Sequence, residues 1–345
     1  MTKTVNICDV CNEIFAGGDA PKNNMSQAPN ERHSIPIFSN GEENEGLYGY
    51  TDKARVTQPS ITVSARGTIG YTAIRNTPFV PIVRLITLTP NPELIDINYL
   101  YYAVRNYKFD GSGTSIPQLT VPSIKKYSFP LPTKEEQKRI ALLLDNLCEL
   151  IEKRKKQLAK FDELVKARFV EMFDDKGYPT LKWNDVFNTT TGKLDSNAMV
   201  ENGEHPFFTC AKEVFRIDKY AFDQEALLLA GNNAAGKYDV KYYKGKFNAY
   251  QRTYVLGLKQ DWSYQLFRYQ LEDKLLYLQE QSLGGLTKYL TLKILGELEF
   301  IVPPMNKQNE FAAFVEQVDK SKVAVQKALD EAQTLFDSLM QQYFG

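Results

Sequence analysis

The residues with contact chemistry are cations and amides set among glycines and tyrosines. Lys237-Tyr-Asp-Val-Lys241-Tyr-Tyr-Lys244-Gly-Lys246 interleaves ammonium groups with aromatic rings. Lysines at that density can line phosphates, and tyrosines add rigid contact area, although a solvated hairpin has the same look. Arg66, Arg75 and Arg84 form a sparser series. An arginine on a loop can pair bidentately with a guanine edge in the major groove, and Asn or Gln can do so with adenine. Gln118, Asn232 and Asn233 carry such amides. Thr68, Ser112, Ser115 and Lys288, on or beside loops rich in glycine, complete the candidate DNA-contact set together with Arg252.

Catalytic constellations are lacking. An adenine or cytosine amino-methyltransferase needs an Asn/Asp-Pro-Pro-aromatic loop, and the nearest strings are Val302-Pro-Pro-Met305 and Asn91-Pro-Glu93. No glycine-rich loop precedes Lys-Ser/Thr for ATP, and Gly111-Ser-Gly113 lacks the third glycine of a dinucleotide fingerprint. Cys8-Asp-Val-Cys11 has the gap of a zinc or redox pair, but no second pair follows and His33 and His205 lie far off. No metal site is therefore expected. Free thiols, no signal peptide and no long apolar run point to a reducing cytoplasm and no membrane.

Formal charge is zero, from 42 basic and 42 acidic residues. Residues 1–132 hold 12 basic against 11 acidic, and residues 174–303 hold 16 against 17. A protein gripping DNA through charge alone would be more basic. Phosphate attraction must come from local clustering or from a partner.

These groups need a scaffold, and it is organised around residues 133–173. Pro132 stops the preceding chain, Thr133 offers an N-cap hydroxyl, and Glu136 stands at the capping-box spacing. No Pro or Gly occurs until Gly177, which permits a helix of roughly 40 residues, about 60 Å long. Its seam runs Ile140, Leu144, Leu147, Ile151, Leu158, Phe161, Val165, Met172, with Arg154 and Arg168 as polar interruptions. Adding 171 to these numbers gives a second seam: Phe311, Val315, Val318, Lys322, Val325, Leu329, Ala332, Phe336, Leu339, Tyr343. Phe129, Pro132, Gln137 and Phe173 recur as Phe300, Pro303, Gln308 and Phe344. The chain reads as two copies of one unit, each a mixed domain followed by a long helix.

The domains repeat with drifting offsets. In the first, strands are expected at 33–38, entering an Asn40-Gly41 turn, at 59–64, and at 79–88 with Pro81 marking an edge or bulge, and a helix at 97–107. In the second, His205–Thr209 echoes Ile35–Ser39, Ala226–Gly231 echoes the strand before Arg66, Phe247–Arg252 falls on Phe79–Arg84, and a helix is expected at 264–279. Positions that agree between copies cannot distinguish two half-sites. Gly70 with Gly236, and the glycine loops near 113 and 284, are therefore read as scaffold or phosphate positions. Positions that differ, Arg66/Asn232, Arg75/Lys241 and Gln118/Tyr289, can carry sequence information.

The string Phe129-Pro-Leu-Pro-Thr-Lys-Glu-Glu-Gln-Lys-Arg-Ile140, continuing through Ile151-Glu-Lys-Arg-Lys-Lys-Gln-Leu158 to Phe169-Val-Glu-Met-Phe173, resembles the specificity subunit of type I restriction–modification enzymes. The second copy, Phe300-Ile-Val-Pro-Pro304 with Gln308 and Phe311, is similar. The resemblance implies an α+β chain with two pseudo-twofold-related α/β target-recognition domains, 1–132 and 174–303. Two long antiparallel coiled-coil helices, 133–173 and 304–345, separate them. It implies a non-catalytic chain that reads the two halves of a split target in double-stranded DNA, about a helical turn apart, with helix length as a ruler for the spacer. It implies methyltransferase (modification) subunits docked on the helices and a restriction subunit. The chain itself holds no cofactor, and S-adenosylmethionine and ATP belong to the partners. Two other readings are a coiled-coil adaptor binding protein through its β-domains, and a DNA methyltransferase in the same chain.

Overall fold

The computed structural model describes residues 3–107, 118–234, 236–285 and 287–345. It comprises two compact units, residues 1–156 with 326–345, and residues 157–325. Two 40-residue helices, Lys134–Phe173 and Met305–Phe344, each contribute one part to each unit.

In the first unit a four-stranded antiparallel sheet has the order Cys11–Ala16, Ile86–Pro90, Ser60–Val63, Thr72–Arg75. A second sheet places Ile35–Phe38 between Leu47–Thr51 and Val80–Pro81, the last pairing parallel. The expected strand over 79–88 is thus two strands in two sheets. The chain breaks at Val83 and Arg84, whose φ angles are +52° and +63°. Their amides donate to Gly18 O at 2.7 Å and Gly17 O at 2.9 Å, so the turn is held by a neighbouring segment that local sequence does not reveal. A Cβ on Gly17 would lie 2.6 Å from the Pro81 carbonyl carbon, which is why the approach needs glycine.

The second unit uses the same plan in one sheet. Its six strands run Phe187–Thr191, Thr253–Leu258, Phe222–Ala230, Val240–Ala249, His205–Phe208, Phe215–Ile217. Val240–Ala249 does by itself what Thr72–Arg75 and Val80–Pro81 do separately. It pairs antiparallel with Phe222–Ala230 and parallel with His205–Phe208. Gly192 repeats the device of Gly17: its N–H donates to Thr253 O at 3.4 Å, and a Cβ there would overlap Ala249 O. The expected helix over 264–279 is two helices, Tyr264–Asp273 and Leu275–Gln281, meeting at Lys274.

Each unit buries the seam of both long helices. In the first, Ile140, Leu144, Leu147 and Ile151 share a core with Ala332, Phe336, Met340 and Phe344. In the second, Val165, Met172 and Phe173 pack with Phe311, Val315 and Val318. The early part of one helix meets the late part of the other in both units, so the pairing is antiparallel. Lys322 reaches Asp162 at 2.6 Å and Arg168 reaches Glu310 at 2.7 Å, in the same sense. Near its end the second seam moves from Leu339 and Tyr343 to the more buried Met340 and Phe344. A straight helix of 3.6 residues per turn drifts away from a 3.5-residue repeat.

The helix entries share a buried glutamine, although Thr133 of the first is Pro304 in the second. Glu136 N–H donates to Thr133 Oγ1 at 3.4 Å, but the Glu136 carboxylate turns to Arg139 instead of closing the capping box. Gln137, 1% exposed, accepts from Asp96 N–H at 2.8 Å and donates to Leu94 O and Pro132 O at 3.2 and 2.9 Å. Gln308, also 1% exposed, accepts from Ser263 N–H at 3.0 Å and donates to Pro303 O at 2.8 Å. Asp96 and Ser263 are the N-caps of the helices Ile97–Asn106 and Tyr264–Asp273. A buried amide thus locks each domain's own helix to the start of a long one.

Candidate nucleic-acid interface

Ala65 O accepts from Leu119 N–H at 3.0 Å, and Gly231 O accepts from Leu290 N–H at 2.8 Å. Arg66 and Asn232 follow these anchors, and Gln118 and Tyr289 precede them, so both register pairs read from the sequence hold. The third does not. Thr62 faces Ala73 and Leu228 faces Lys241 across their ladders, each strand residue three before its anchor. The counterpart of Lys241 is therefore Ala73, and that of Arg75 is Tyr243. The matching glycines are Gly67 and Gly236, not Gly70: their φ angles are +69° and +67°, and their carbonyls accept from Ile69 and Tyr238.

Arg66, Thr68 and Arg84 are exposed. Arg66 and Arg84 line a cleft of about 1040 Å³ together with Gly18, Lys22, Asn24 and Tyr48. The sequence reading passed over Lys22, Asn24 and Tyr48. Nothing in their spacing marks them; Lys22 and Asn24 follow Gly17-Gly18 in the chain, and Tyr48 stands on the strand Leu47–Thr51. Arg66 Nε and Nη2 both donate to Gln118 Oε1, at 3.1 and 2.8 Å. Arg75 is not part of this face. Its side chain is 5% exposed, and it donates to Thr62 Oγ1, Glu45 Oε2 and Glu45 O while lying 3.7 Å from the Phe38 ring centre. Burial pulls its pKa down and Glu45 opposes that pull. Arg75 fastens the Glu45 turn to the sheet, which is a structural duty. Arg75→Ala is expected to cost about 2 kcal/mol, the worth of hydrogen bonds to a charged group, while leaving base preference intact; urea unfolding with a parallel duplex-selection assay checks both.

In the second unit Asn232 pairs with Tyr289 and Asn233 with Lys288 in a short antiparallel ladder. Gly231 N–H donates to Arg252 O at 2.8 Å, which brings the exposed Arg252 turn to the same place. Lys237 is exposed just beyond Gly236, whose added Cβ would touch the Lys288 side chain at 3.4 Å. Asn232, Asn233, Lys237, Arg252 and Lys288 form the second candidate face. The lysine–tyrosine stretch does not join it as a free basic strip. Lys241 Nζ bonds Ala211 O and Asp239, and Lys244 Nζ bonds Glu225 at 3.0 Å. Tyr242 donates to Glu225 at 2.7 Å, and burial with this bond pushes its pKa up to about 12. Lys241 is met by Asp239 of its own stretch and Lys244 by Glu225 on the neighbouring strand Phe222–Ala230, while Lys237 and Lys246 are exposed. The expected contacts Ser112 and Ser115, and the Gly111–Ser115 loop, lie outside the described residues.

Among the described residues no group of three His, Cys, Asp or Glu side chains is placed to hold a metal ion, and no helix is long and apolar enough to cross a membrane. All four cysteines are free thiols.

The family model of the type I restriction modification DNA specificity domain matches twice, over residues 2–160 and 176–332. The chain belongs to this family. The two matches fall on the two copies seen in the sequence. Among curated relatives of the specificity family, a putative type I specificity subunit of Mycoplasma pneumoniae is 37% identical over 168 residues, 46% of this chain and 50% of that protein. The Escherichia coli type I restriction enzyme EcoDI specificity subunit is 34% identical over 157 residues, 44% of this chain and 34% of that one. The chain spans about half the length of the curated relatives it matches. Among solved structures, the S subunit of a type I restriction-modification system from M. genitalium superposes with a TM-score of 0.67 at 18% identity, covering 100% of this chain and 96% of that one. A chain from a study of type I system assembly and conformational transition gives 0.55 at 15% identity, covering 99% and 97%. At these identities the likeness is one of fold.

Proposed function

We propose that this chain is the DNA sequence-recognition subunit of a type I restriction–modification enzyme. Each unit reads one half of a bipartite target, and the long helices carry the docking surface for methyltransferase subunits. The chain recognises and does not catalyse; methylation with S-adenosylmethionine, and any ATP-driven cleavage, belong to partner subunits. The observation that carries this reading is the twofold match of a specificity-domain family to two units that each present an arginine- or amide-bearing loop at the same register point. Zero net charge fits a chain that shares its grip on DNA with partners.

Sequencing of methylated bases in the native host, with and without this chain, tests the reading. A bipartite methylated motif should disappear when the chain is removed and return on complementation. An unchanged methylation pattern would sink it. A cytoplasmic location follows from the proposed role, since its substrate is cellular DNA.

A further inference from the structure

Two arginines of the first unit are held by one amide. Asn40 Oδ1 accepts from Ala65 N–H at 2.7 Å, and Asn40 Nδ2 donates to Val83 O at 2.6 Å. The next residue extends the clasp, because Gly41 N–H donates to Ser64 Oγ at 3.1 Å. Asn40 therefore buckles the loop that carries Arg66 to the turn that carries Arg84. Both arms are backbone groups adjacent to an arginine, so the buckle fixes where each side chain starts. The Val83–Arg84 turn lies in the left-handed region at two successive residues with side chains. Such strain persists only where surrounding contacts over-determine it.

Arg66 is also fixed at its far end. A guanidinium has five N–H donors in one plane. Gln118 Oε1 takes one from Nε and one from Nη2. Three remain, one on Nη2 and two on Nη1, and these include the end-on pair that matches the O6 and N7 acceptors of guanine. Gln118 thus sets the plane and leaves the reading edge open. The cleft beside it is lined by Lys22 and Arg84 as further cations, against Asp19 as its carboxylate.

The second unit lacks this arrangement. Cys210 follows Thr209 at the position of Asn40, and its thiol donates to Arg252 O at 3.4 Å. The loop is tied directly, by Gly231 N–H to Arg252 O. Asn232 stands where Arg66 stands.

Resting on the DNA-recognition reading above, the geometry points to a guanine selected by the first unit. Arg66 is the residue that reads it, Gln118 orients the guanidinium, and Asn40 is the positioning residue that holds the reading loop against the Arg84 turn. The second unit, with an asparagine at the same register point, does not share this preference.

The test compares methylated motifs in hosts carrying the wild-type chain, Arg66→Ala, Gln118→Leu, Asn40→Ala and the Arg66→Ala/Asn40→Ala pair. Arg66→Ala should relax one guanine in one half-motif, lowering its selection on the order of tenfold to a hundredfold, with every other position kept. Gln118→Leu should relax the same position more weakly. Asn40→Ala should relax it too, and the pair should be no more relaxed there than Arg66→Ala, which a merely structural role for Asn40 would not produce. Arg66 is exposed, so its replacement leaves folding alone; soluble yield of each variant and melting temperature verify this. If Arg66→Ala lowers methylation at all sites equally with the motif unchanged, Arg66 grips phosphate and the inference is overturned. It is also overturned if the relaxed base is not guanine. Loss of the recognition reading looks different, because methylation would then not depend on the chain at all.

Discussion

Phe311→Ala lowers the stability of the second unit by about 3–5 kcal/mol, the range for an aromatic-to-alanine change in a core. Phe311 is fully buried, and its ring meets Phe169, Phe173 and Tyr269 edge-on at centroid distances of 5.7, 5.5 and 5.3 Å. Three edge-to-face pairs converge on one ring, and each adds on the order of 1 kcal/mol beyond area burial. Phe169 and Phe173 come from one long helix and Phe311 from the other, so the ring stands at the contact between the two. The chain's two tryptophans, Trp183 and Trp262, both lie in the second unit. Tryptophan emission, excited selectively over that of tyrosine, therefore reads that unit alone during urea unfolding. A loss under about 1 kcal/mol would mean that the aromatic cluster does not tie the helix pair there.

Gln137→Leu lowers the stability of the first unit by about 3 kcal/mol. Leucine keeps most of the volume, so packing is nearly constant and the effect isolates the amide. The change leaves Asp96 N–H, Leu94 O and Pro132 O without the partner that Gln137 now supplies. Each buried polar group left unpaired costs about 1–3 kcal/mol. Hydrogen exchange gives the readout: protection should fall first at Asp96 and through the helix Ile97–Asn106. Gln308→Leu should do the same at Ser263, followed by tryptophan fluorescence. Loss of protection confined to the first turn of the long helix would show that the amide caps that helix only.

The long helices were legible because their signals are local and periodic. A proline stop, an N-cap threonine, forty residues without Pro or Gly and a repeating apolar stripe all act over a few residues. The antiparallel sense of their pairing, expected from the resemblance, appears independently within each unit. The sheets were less legible. The strand expected over 79–88 divides between two sheets because Val83 and Arg84 turn over a glycine approach that lies more than sixty residues earlier in the chain.

The candidate site divides along the same line. Sequence marked Arg66, Gln118, Asn232 and Arg252 by type and repeat, and the fold brings the separate segments of each pair together. Sequence also marked Arg75 and Lys241, which the fold commits to Glu45 and Asp239. A cation is spent or left available according to what lies across the sheet from it.

By itself, then, the sequence determined the duplication, the two long helices and the residue types available for reading bases. Only the tertiary structure decided which cations face a cleft, that Asn40 holds two loops as one, and that a buried glutamine joins each domain to its helix. The physical reason is range. Helix periodicity and capping are satisfied among neighbours in sequence, whereas burial of a charge or an amide is satisfied by groups that meet only when the chain has folded.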